Sequence, residues 1–336
     1  MTEPVEAVPG DGEFAVRIDK VSKRFGRTLA LDAVSLDIPQ KELIAILGPN
    51  GAGKSTLIMI LCTLLQADSG SATIAGFDIG KRPRQARRKL GVVFQEPSLD
   101  TRLTVQENLD FHARVYQVPA HLRQKRIDEM LEMVELSDVR DRLVRTLSAG
   151  MKRRVEIARS LIHDSSVVIL DEPTVGLDAQ SRARIWDYLH RLRRERDITL
   201  IVTTHYIEEV ERCDRVCVID KGKVLALDTP TALKQTYGEK IIRVTPLDAE
   251  TGLAIQARFP QTLTSPDGDI IVTDSTGQVS EQLLAEFGQH LRSVNVERSS
   301  LESVFLNLTG HAIRDKADER RAGGVEGRQP GQEPRM

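Results

Sequence analysis

Residues 42–56 read "ELIAILGPNGAGKST", a nearly continuous apolar run followed by a glycine-rich turn. An apolar run of this kind is typical of a strand buried in the middle of a parallel sheet. Gly48, Gly51 and Gly53 allow a backbone path that points successive N–H groups inward, and the N-terminus of the following helix adds partial positive charge. The stretch therefore predicts a cradle for polyphosphate. The alternative is a glycine-rich turn with Ser55 as a helix cap.

Two side chains of this loop have separate tasks in such a cradle. Lys54 would reach the β- and γ-phosphates, and the Ser55 hydroxyl would ligate Mg²⁺. The predicted nucleotide-binding residues of the loop are Gly48, Pro49, Asn50, Gly51, Ala52, Gly53, Lys54, Ser55 and Thr56.

From the loop onward, short apolar runs alternate with helical patterns of about three turns, which indicates a parallel α/β sheet. Before the loop, "FAVRIDKVSKRF" and "LALDAVSLDI" alternate as strands with one buried face. The predicted helices are Lys54–Leu64, Val105–Tyr116, Leu122–Val134, Ser148–Ile162 and Ala179–Arg194, and the predicted strands cover residues 91–94, 167–171, 198–204 and 215–220.

The pattern changes beyond about Thr236. Strands at residues 240–246, 267–274 and 291–297, with helices at Val279–Phe287 and Leu301–Leu308, predict a small α+β domain over residues 236–310. Both ends of the chain, residues 1–13 and 311–336, are rich in Gly, Pro and charged residues, and we expect them to be disordered.

Two adjacent carboxylates end the apolar strand in "VVILDEPT", residues 167–174. Asp171 at the strand end can hold Mg²⁺ directly or through water. Adjacent carboxylates repel each other unless a cation compensates one of them and proton transfer uses the other. Glu172 is therefore the predicted general base for the attacking water, and the alternative is an acidic turn before Pro173.

Gln95 and His205 also follow apolar strands, in "GVVFQ" and "ITLIVTTH". Ligand crevices of parallel sheets lie outside the carboxyl ends of the strands. We therefore predict that His205 contacts the γ-phosphate and that Gln95 contacts Mg²⁺ or water, which gives Ser55, Gln95 and Asp171 as metal ligands. A hydrogen-bonded structural histidine is the alternative for His205.

Composition disfavours several classes of protein. The formal net charge is -2, with 40% hydrophobic and 29% charged residues, so no overall field points to a nucleic-acid partner. The three cysteines include no CxxC pair, which argues against zinc or a disulfide framework. No apolar run approaches the roughly 18 residues needed to cross a bilayer. We expect the chain by itself to be soluble and not secreted.

Five sequence motifs follow one another in order, namely "GPNGAGKST", Gln95, "LSAGMKRRVEIARSL", "VVILDEPTVGLD" and His205. With these motifs at these separations, the chain resembles the ATP-binding subunits of ABC transporters over about residues 14–235. The resemblance implies an α/β fold of the P-loop NTPase type, in which a RecA-like core carries an antiparallel β lobe and a helical subdomain at about residues 97–141. It also implies ATP and Mg²⁺ as ligands and ATP hydrolysis as the reaction.

The resemblance also assigns roles outside the phosphate loop. Phe25 in "KRFG" matches the aromatic residue that stacks on adenine. Asp178 in "VGLD" matches a loop that crosses to a partner subunit, and it could equally be the N-cap of the next helix. Ser148 and Gly150 match the signature that faces the nucleotide of the opposite chain. Two subunits, in our expectation a homodimer, would then sandwich two ATP molecules.

The signature "LSAGMKRR", residues 147–154, departs from the family's LSGGQ at two positions. Ala149 replaces the first glycine and Met151 replaces the glutamine, whereas the serine hydroxyl and the close backbone approach at Gly150 are kept. We therefore predict a working signature with an altered rate. We expect the cations at residues 152–154 to be surface charges, because a cation gains nothing from the dipole at a helix N-terminus.

Within the family, "TVGLD" and the ending "SLESVFLNLTG" resemble the ATPases of daunorubicin-resistance and nodulation-factor exporters. This implies a separate integral membrane permease, contacted by the polar loop after Gln95, and a peripheral location on the cytoplasmic side of the membrane. The expected cargo is a drug, an antibiotic or a lipid-like compound. A soluble ABC-type ATPase that is not coupled to transport is the alternative. A GTPase is disfavoured, because "VIDKGK" has the wrong order for a guanine-binding motif.

One basic run is not explained by these motifs. "KRPRQARRKLG", residues 81–91, contains six cations in nine residues. A solvated face and proximity to anionic lipid headgroups are the two interpretations.

Overall fold

The computed structural model describes residues 14–238, 240–259, 262–265, 268–274, 279–297 and 300–310. The two ends that the sequence predicts to be disordered, residues 1–13 and 311–336, lie outside this part of the chain. The chain divides into two compact units between Pro230 and Thr231. The domain boundary expected from the sequence, at residues 235–236, falls a few residues later.

The larger sheet of the first unit contains six strands in the order β10-β9-β3-β8-β7-β6. Strands β9, β3, β8, β7 and β6 are parallel, and β10 is an antiparallel edge strand. Apolar runs form the central strands because helices cover both faces of such a sheet. The strands are β3 Leu43–Leu47, β6 Leu90–Val93, β7 Val167–Asp171, β8 Thr199–Thr204, β9 Arg215–Asp220 and β10 Lys223–Asp228.

A second, antiparallel sheet has the strand order β2-β1-β4-β5. In β1, Val16 and Ile18 are buried, as the alternating pattern predicts. The two short strands β4 and β5 were not predicted from the sequence. The strands are β1 Phe14–Phe25, β2 Thr28–Pro39, β4 Ser69–Ile74 and β5 Phe77–Asp78.

The helices of the first unit agree with the predicted positions apart from their ends. Helix α1 stops at Leu61 and not at Leu64, because Thr63 takes a positive φ of 59° that ends the helical path. The short helices α2 and α7 were missed. The helices are α1 Lys54–Leu61, α2 Pro83–Arg88, α3 Val105–Val115, α4 Ala120–Met133, α5 Ala149–Leu161, α6 Ala179–Glu195 and α7 Ile207–Val210, followed by α8 Pro230–Tyr237 at the boundary between the units.

The second unit has the β-α-β-β-α-β order of the split β-α-β arrangement, followed by one more helix. Helices α9 and α10 pack on one face of the antiparallel sheet β12-β13-β11-β14, and Leu306 of α11 packs on Ile271 and Leu263. This confirms a small α+β domain. Its elements are β11 Lys240–Pro246, α9 Ala249–Arg258, β12 Thr262–Thr264, β13 Ile270–Asp274, α10 Val279–Phe287, β14 Leu291–Glu297 and α11 Leu301–Thr309.

The core of the first unit lies between its two sheets and around α1. All five residues of β3 and all five of β7 are buried. The three cysteines, Cys62, Cys213 and Cys217, are free thiols in buried positions. In the part of the chain that the structure describes, no helix combines the length and the apolar character needed to cross a membrane.

Truncation of a β7 side chain tests how much this core contributes to the free energy of unfolding. We expect Ile169→Ala to lower the free energy of unfolding by about 2–5 kcal/mol, because a fully buried side chain leaves a cavity. Leu64→Ala is the matched control, since Leu64 is exposed and its loss should change stability by less than about 0.5 kcal/mol. Urea unfolding followed by circular dichroism measures both. Equal effects of the two substitutions would contradict the packing described.

Candidate functional site

The carboxyl ends of three neighbouring parallel strands meet at one edge of the larger sheet. Leu47, the last residue of β3, pairs with Thr204 of β8, and Thr203 pairs with Asp171 at the end of β7. The phosphate loop begins directly after β3, and the predicted base and histidine come directly after β7 and β8. The strand pairing therefore brings these groups together where open α/β sheets bind their ligands.

Lys54 holds the phosphate loop in a compact shape. Its side chain is buried, and its ammonium group donates hydrogen bonds to the carbonyl oxygens of Gly48 at 2.6 Å and Pro49 at 3.1 Å. The N-cap residue of helix α1 is Gly53, which has no side chain to cap the first N–H groups. These N–H groups and the lysine are the donors that an anionic ligand needs.

Glycine is required in this loop for two different reasons. Gly51 and Gly53 have φ angles of +83° and +107°, in the left-handed region that favours glycine. A Cβ atom on Gly48 would lie 2.3 Å from the backbone oxygen of Ile219, and one on Gly53 would lie 2.6 Å from that of Ala30. The loop therefore packs against its neighbours too closely for any side chain at Gly48 or Gly53.

Asp171 is buried at the end of β7. Its carboxylate accepts hydrogen bonds from Thr203 Oγ1 at 2.5 Å and from the Ser55 side chain. Burial raises the pKa of this carboxyl group above its ordinary value of 3.8, and the charge of Glu172 raises the pKa further. A divalent cation beside Asp171 would compensate a carboxylate that the buried position disfavours.

The oxygen donors at this position fit Mg²⁺. Ser55 and Asp171 supply a hydroxyl and a carboxylate oxygen, which are hard ligands of the type that Mg²⁺ prefers. Within the described ranges, no group of three or more His, Cys, Asp or Glu side chains could hold a metal by itself. Mg²⁺ is usually held by one or two protein ligands, and phosphate oxygens and water complete its coordination.

Glu172 has an unusual backbone conformation with φ +46°, which residues other than glycine rarely adopt. Its N–H group donates to the carbonyl oxygen of Thr203 at 3.1 Å and to Thr203 Oγ1 at 3.0 Å. Its buried carboxylate lies 3.5 Å from Nδ1 of His205, which is also buried. The two predicted catalytic residues are therefore direct neighbours. Strained residues such as Glu172 concentrate at functional sites.

Two supporting residues of this edge were missed by the sequence analysis. Thr203 binds both neighbouring acidic residues, as described above. Glu209 of α7 is buried and accepts hydrogen bonds from Thr174 Oγ1 and Thr204 Oγ1, each at 2.6 Å. These bonds join the segments that follow β7 and β8. Nothing in the local sequence pattern distinguishes Glu209 from the acidic residues around it.

Gln95 follows β6, which pairs with β7 so that Val93 lies beside Leu170. The backbone carbonyl groups of Gln95 and Glu172 both accept hydrogen bonds from the guanidinium group of Arg153, at 3.1 Å and 3.3 Å. Gln95 is thus brought to the same edge of the sheet as the predicted base.

Arg153 contradicts the prediction that all cations at residues 152–154 are surface charges. Its side chain is buried, and it forms an ion pair with Glu156 at 3.1 Å. Positions 153 and 156 lie on the same face of α5 as the buried Ile157 and Ser160, so this face of the helix is covered. The sequence carries no clear signal of this burial, because Arg153, Glu156 and Ser160 on this face are polar and only Ile157 is apolar.

Ser148 and Gly150 lie at the start of α5. The Ser148 hydroxyl accepts a hydrogen bond from the N–H group of Met151 at 3.3 Å and so caps the helix. Both residues line a small cavity of about 210 Å³ together with residues of α6 such as Ser181. No residue of the phosphate loop lines this cavity.

Phe25 and Asp178 occupy different settings. Phe25 lies at the end of β1, is 47% exposed and pairs with Thr28 of β2. Two residues after Thr28 comes Ala30, whose backbone oxygen lies close to Gly53 of the phosphate loop. The exposed ring is therefore carried by a hairpin beside the phosphate loop.

Asp178 caps α6 by accepting a hydrogen bond from the Ser181 N–H group at 2.8 Å, which confirms the N-cap interpretation.

Comparisons with known proteins agree with this geometry. The family model described as ABC transporter matches residues 31–175. The daunorubicin resistance ATP-binding protein DrrA2 of Streptomyces coeruleorubidus is 36% identical, over 89% of this chain and 96% of that protein. The Nod factor export ATP-binding protein I of Rhizobium sp. (strain N33) is 38% identical, over 90% of this chain and 99% of that protein.

Two solved structures show the same fold. The structure of cbiO1 from Clostridium perfringens, part of the ABC transporter complex cbiONQ, gives a TM-score of 0.62 at 30% identity and covers 74% of this chain and 97% of that one. A dimeric ATP-binding cassette in a post-hydrolysis state, bound to ADP and Pi, gives a TM-score of 0.58 at 30% identity and covers 64% and 98%.

The raised pKa of Asp171 predicts a pH dependence with a definite sign. A carboxyl group whose pKa is higher in the folded than in the unfolded chain costs stability as the pH rises above the ordinary value of 3.8. We therefore expect Asp171→Asn, measured without nucleotide or metal, to have a higher melting temperature than the original chain at pH 8, and a smaller advantage at about pH 4, close to the ordinary value.

Asp178→Asn is the control with the opposite sign. Backbone and side-chain hydrogen bonds from Ser181 lower the pKa of Asp178, so its charged form stabilises the fold above pH 3.8 and this contribution disappears at lower pH. Thermal unfolding at pH 8 and at about pH 4 measures both variants. The assignment fails if the effect of Asp171→Asn on the melting temperature is the same at both.

Proposed function

This chain belongs to the ABC transporter family, as an ATP-binding subunit of the drug-resistance and Nod-factor export type, and from this premise we propose that it hydrolyses ATP to drive a separate membrane permease. One observation carries the proposal of hydrolysis. Lys54, Asp171 and the Glu172–His205 pair converge at the carboxyl edge of one parallel sheet. A module that only binds nucleotide has no need for a strained, buried base beside its metal ligand.

The phosphate loop would bind the polyphosphate through its inward N–H groups and Lys54. The ammonium group of Lys54 would turn from the carbonyl groups of Gly48 and Pro49 toward the β- and γ-phosphates. Bound Mg²⁺, held by Ser55, Asp171 and Gln95, would neutralise the charge that develops on the phosphate oxygens. Phe25 would stack on the adenine ring.

Glu172 would act as the general base. Its carboxylate would accept a proton from the attacking water, while the pinned backbone keeps the carboxylate in place. His205, 3.5 Å from Glu172 Oε1, would donate a hydrogen bond to the γ-phosphate and orient it toward that water. The strand pairing preorganises both groups, so that little rearrangement is needed during the reaction.

A second copy of the chain would complete each site. Ser148 and Gly150 line a cavity of their own with α6, so they are available to a nucleotide held by another chain. The likeness to a dimeric cassette bound to ADP and Pi supports this arrangement. Asp178, at the start of α6, would reach toward the partner. ATP would hold two such chains together, and loss of the shared γ-phosphate would release them.

The surface of α3 supports a permease partner. Phe111 and Val115, one turn apart, are 64% and 59% exposed. Exposed apolar side chains grouped beside charged ones are typical of interaction surfaces. A cavity of about 480 Å³ adjoins Val115 and is lined largely by the basic run, with Arg84, Arg87, Arg88 and Tyr116 among its residues.

We propose that the subunit is peripheral on the cytoplasmic side of the membrane and that the complex exports a drug, an antibiotic or a lipid-like compound. The similarity to proteins named for daunorubicin resistance and Nod factor export supports this class of cargo.

Substitution of the base tests hydrolysis. We expect Glu172→Gln to lower the ATPase rate at least about 100-fold and to leave ATP binding within about twofold, because the amide keeps the shape of the side chain but cannot accept the proton. Size-exclusion chromatography with ATP should then show a trapped dimer. Glu208→Gln, at an exposed position nearby, is the control and should keep the full rate. Normal turnover by Glu172→Gln would exclude this base.

Substitution of the exposed phenylalanine tests the permease surface. We expect Phe111→Glu to reduce co-purification with an integral membrane subunit at least about fivefold, because it places a charge in an apolar contact. The ATPase rate of the free chain should be unchanged. Leu253→Glu, at an exposed position of the second unit, is the matched control. If membrane purification recovers no integral membrane subunit with the original chain, the subunit is a soluble ATPase instead.

A further inference from the structure

Arg153 connects parts of the chain that serve two different ATP sites. It lies in the second turn of α5, the helix that Ser148 caps. Its guanidinium group donates hydrogen bonds to three backbone carbonyl oxygens, those of Phe94 at 2.6 Å, Gln95 at 3.1 Å and Glu172 at 3.3 Å. One side chain thus links the signature helix, the Gln95 loop and the backbone of the proposed base.

Neighbouring residues of α5 attach the far end of the same loop. The carboxylate of Glu156, the ion-pair partner of Arg153, accepts a hydrogen bond from the Ser98 N–H group at 2.7 Å. One turn further on, Arg159 donates to the Ser98 carbonyl oxygen at 2.7 Å. The loop from residue 94 to residue 98 is therefore fastened to α5 at both ends.

The link to Glu172 acts on a strained part of the backbone. The φ angle of +46° persists only if the surroundings hold it. Thr203 binds the N–H group of Glu172 and Arg153 binds its carbonyl oxygen, so the residue is held on both sides. Loss of either bond would let the backbone relax and move the carboxylate away from the position in which it faces His205.

Burial argues for a role beyond stability. Arg153 is 6% exposed and Glu156 is 1% exposed. A buried ion pair is often no more stabilising than apolar side chains of the same volume, so stability alone is a weak reason for its presence. The planar guanidinium fork reaches several acceptors in fixed directions, which a lysine cannot do. The arrangement uses this property on three carbonyl groups.

We propose that Arg153 is a positioning residue that couples the two ATP sites of the dimer. It holds Gln95 and Glu172, which serve the ATP bound by the same chain, in a fixed relation to the helix that presents Ser148 to the ATP of the opposite chain. A displacement of the Gln95 loop when ATP binds is then passed to Ser148. This inference rests on the function proposed above.

The test compares two arginines that form similar ion pairs. Arg215 pairs with the buried Glu42 and donates to the Asp37 carbonyl oxygen at 2.8 Å, at the amino ends of β3 and β9, the opposite edge of the sheet. Arg153→Met and Arg215→Met each leave a buried glutamate without its cation, so both should lower the melting temperature. Steady-state ATPase assays of the full chain, well below both melting temperatures, give kcat and KM.

We expect Arg153→Met to lower kcat at least about tenfold relative to Arg215→Met, with the KM for ATP within about twofold, because a small displacement of a positioned base is costly. Arg153→Lys keeps the charge beside Glu156 but cannot bind all three carbonyl groups. It should therefore restore the melting temperature and only part of kcat. A purely structural arginine would recover both together.

A second measurement follows the link to Ser148 without hydrolysis. In the Glu172→Gln background, we expect Arg153→Met to raise the ATP concentration needed for half-maximal dimer formation at least about fivefold, and Arg215→Met to leave it unchanged. Light scattering during an ATP titration measures this directly.

Equal kcat for the two methionine variants, or unchanged dimer formation by Arg153→Met, would overturn the proposal. These outcomes are distinct from failure of the proposed function. If the original chain hydrolyses ATP and Glu172→Gln does not, the function stands whatever the behaviour of Arg153. If the original chain shows no ATPase activity at all, the function itself fails.

Discussion

The hydrogen bond from Thr203 Oγ1 to the carboxylate of Asp171, at 2.5 Å, joins the ends of β8 and β7 at the point on which the rest of the site depends. The same hydroxyl oxygen accepts the N–H group of Glu172. Two adjacent carboxylates are thereby given different surroundings, one beside Ser55 and the phosphate loop and the other beside His205. The parallel pairing of these strands makes this division possible, because it sets their carboxyl ends at the same level.

Buried polar groups destabilise a protein unless each has a hydrogen-bond partner. At the carboxyl edge of this sheet, threonine and arginine side chains are such partners. Glu209 has Thr174 and Thr204, and Glu156 has Arg153 and the Ser98 N–H group. The resulting network holds a strained Glu172 in place. Such a network gives Glu172, the proposed base, a defined position before any substrate arrives, and electrostatic catalysis depends on this kind of preorganisation.

The glycine-rich loop and the buried strands around it were predictable from the sequence, because each depends on local pattern. Glycines at Gly48 and Gly53, an apolar strand before them and a helix after them have one common explanation. The prediction for Arg153 was wrong because its burial does not depend on local pattern. Whether one face of α5 is covered depends on what packs against it, and the residues that do so are about 60 positions away, in the loop from Phe94 to Ser98.

The sequence by itself determined the family resemblance, the α/β class of the first unit, the phosphate loop and the acidic pair, since strand, turn and helix patterns are read within a few residues. Only the tertiary structure decided how these pieces meet. It showed that Glu172 lies beside His205, that Thr203 binds the Asp171 carboxylate and the Glu172 N–H group, and that Arg153 links α5 to the backbone of Glu172. Contacts between residues far apart in the chain follow from sheet order and helix packing, which no local pattern encodes.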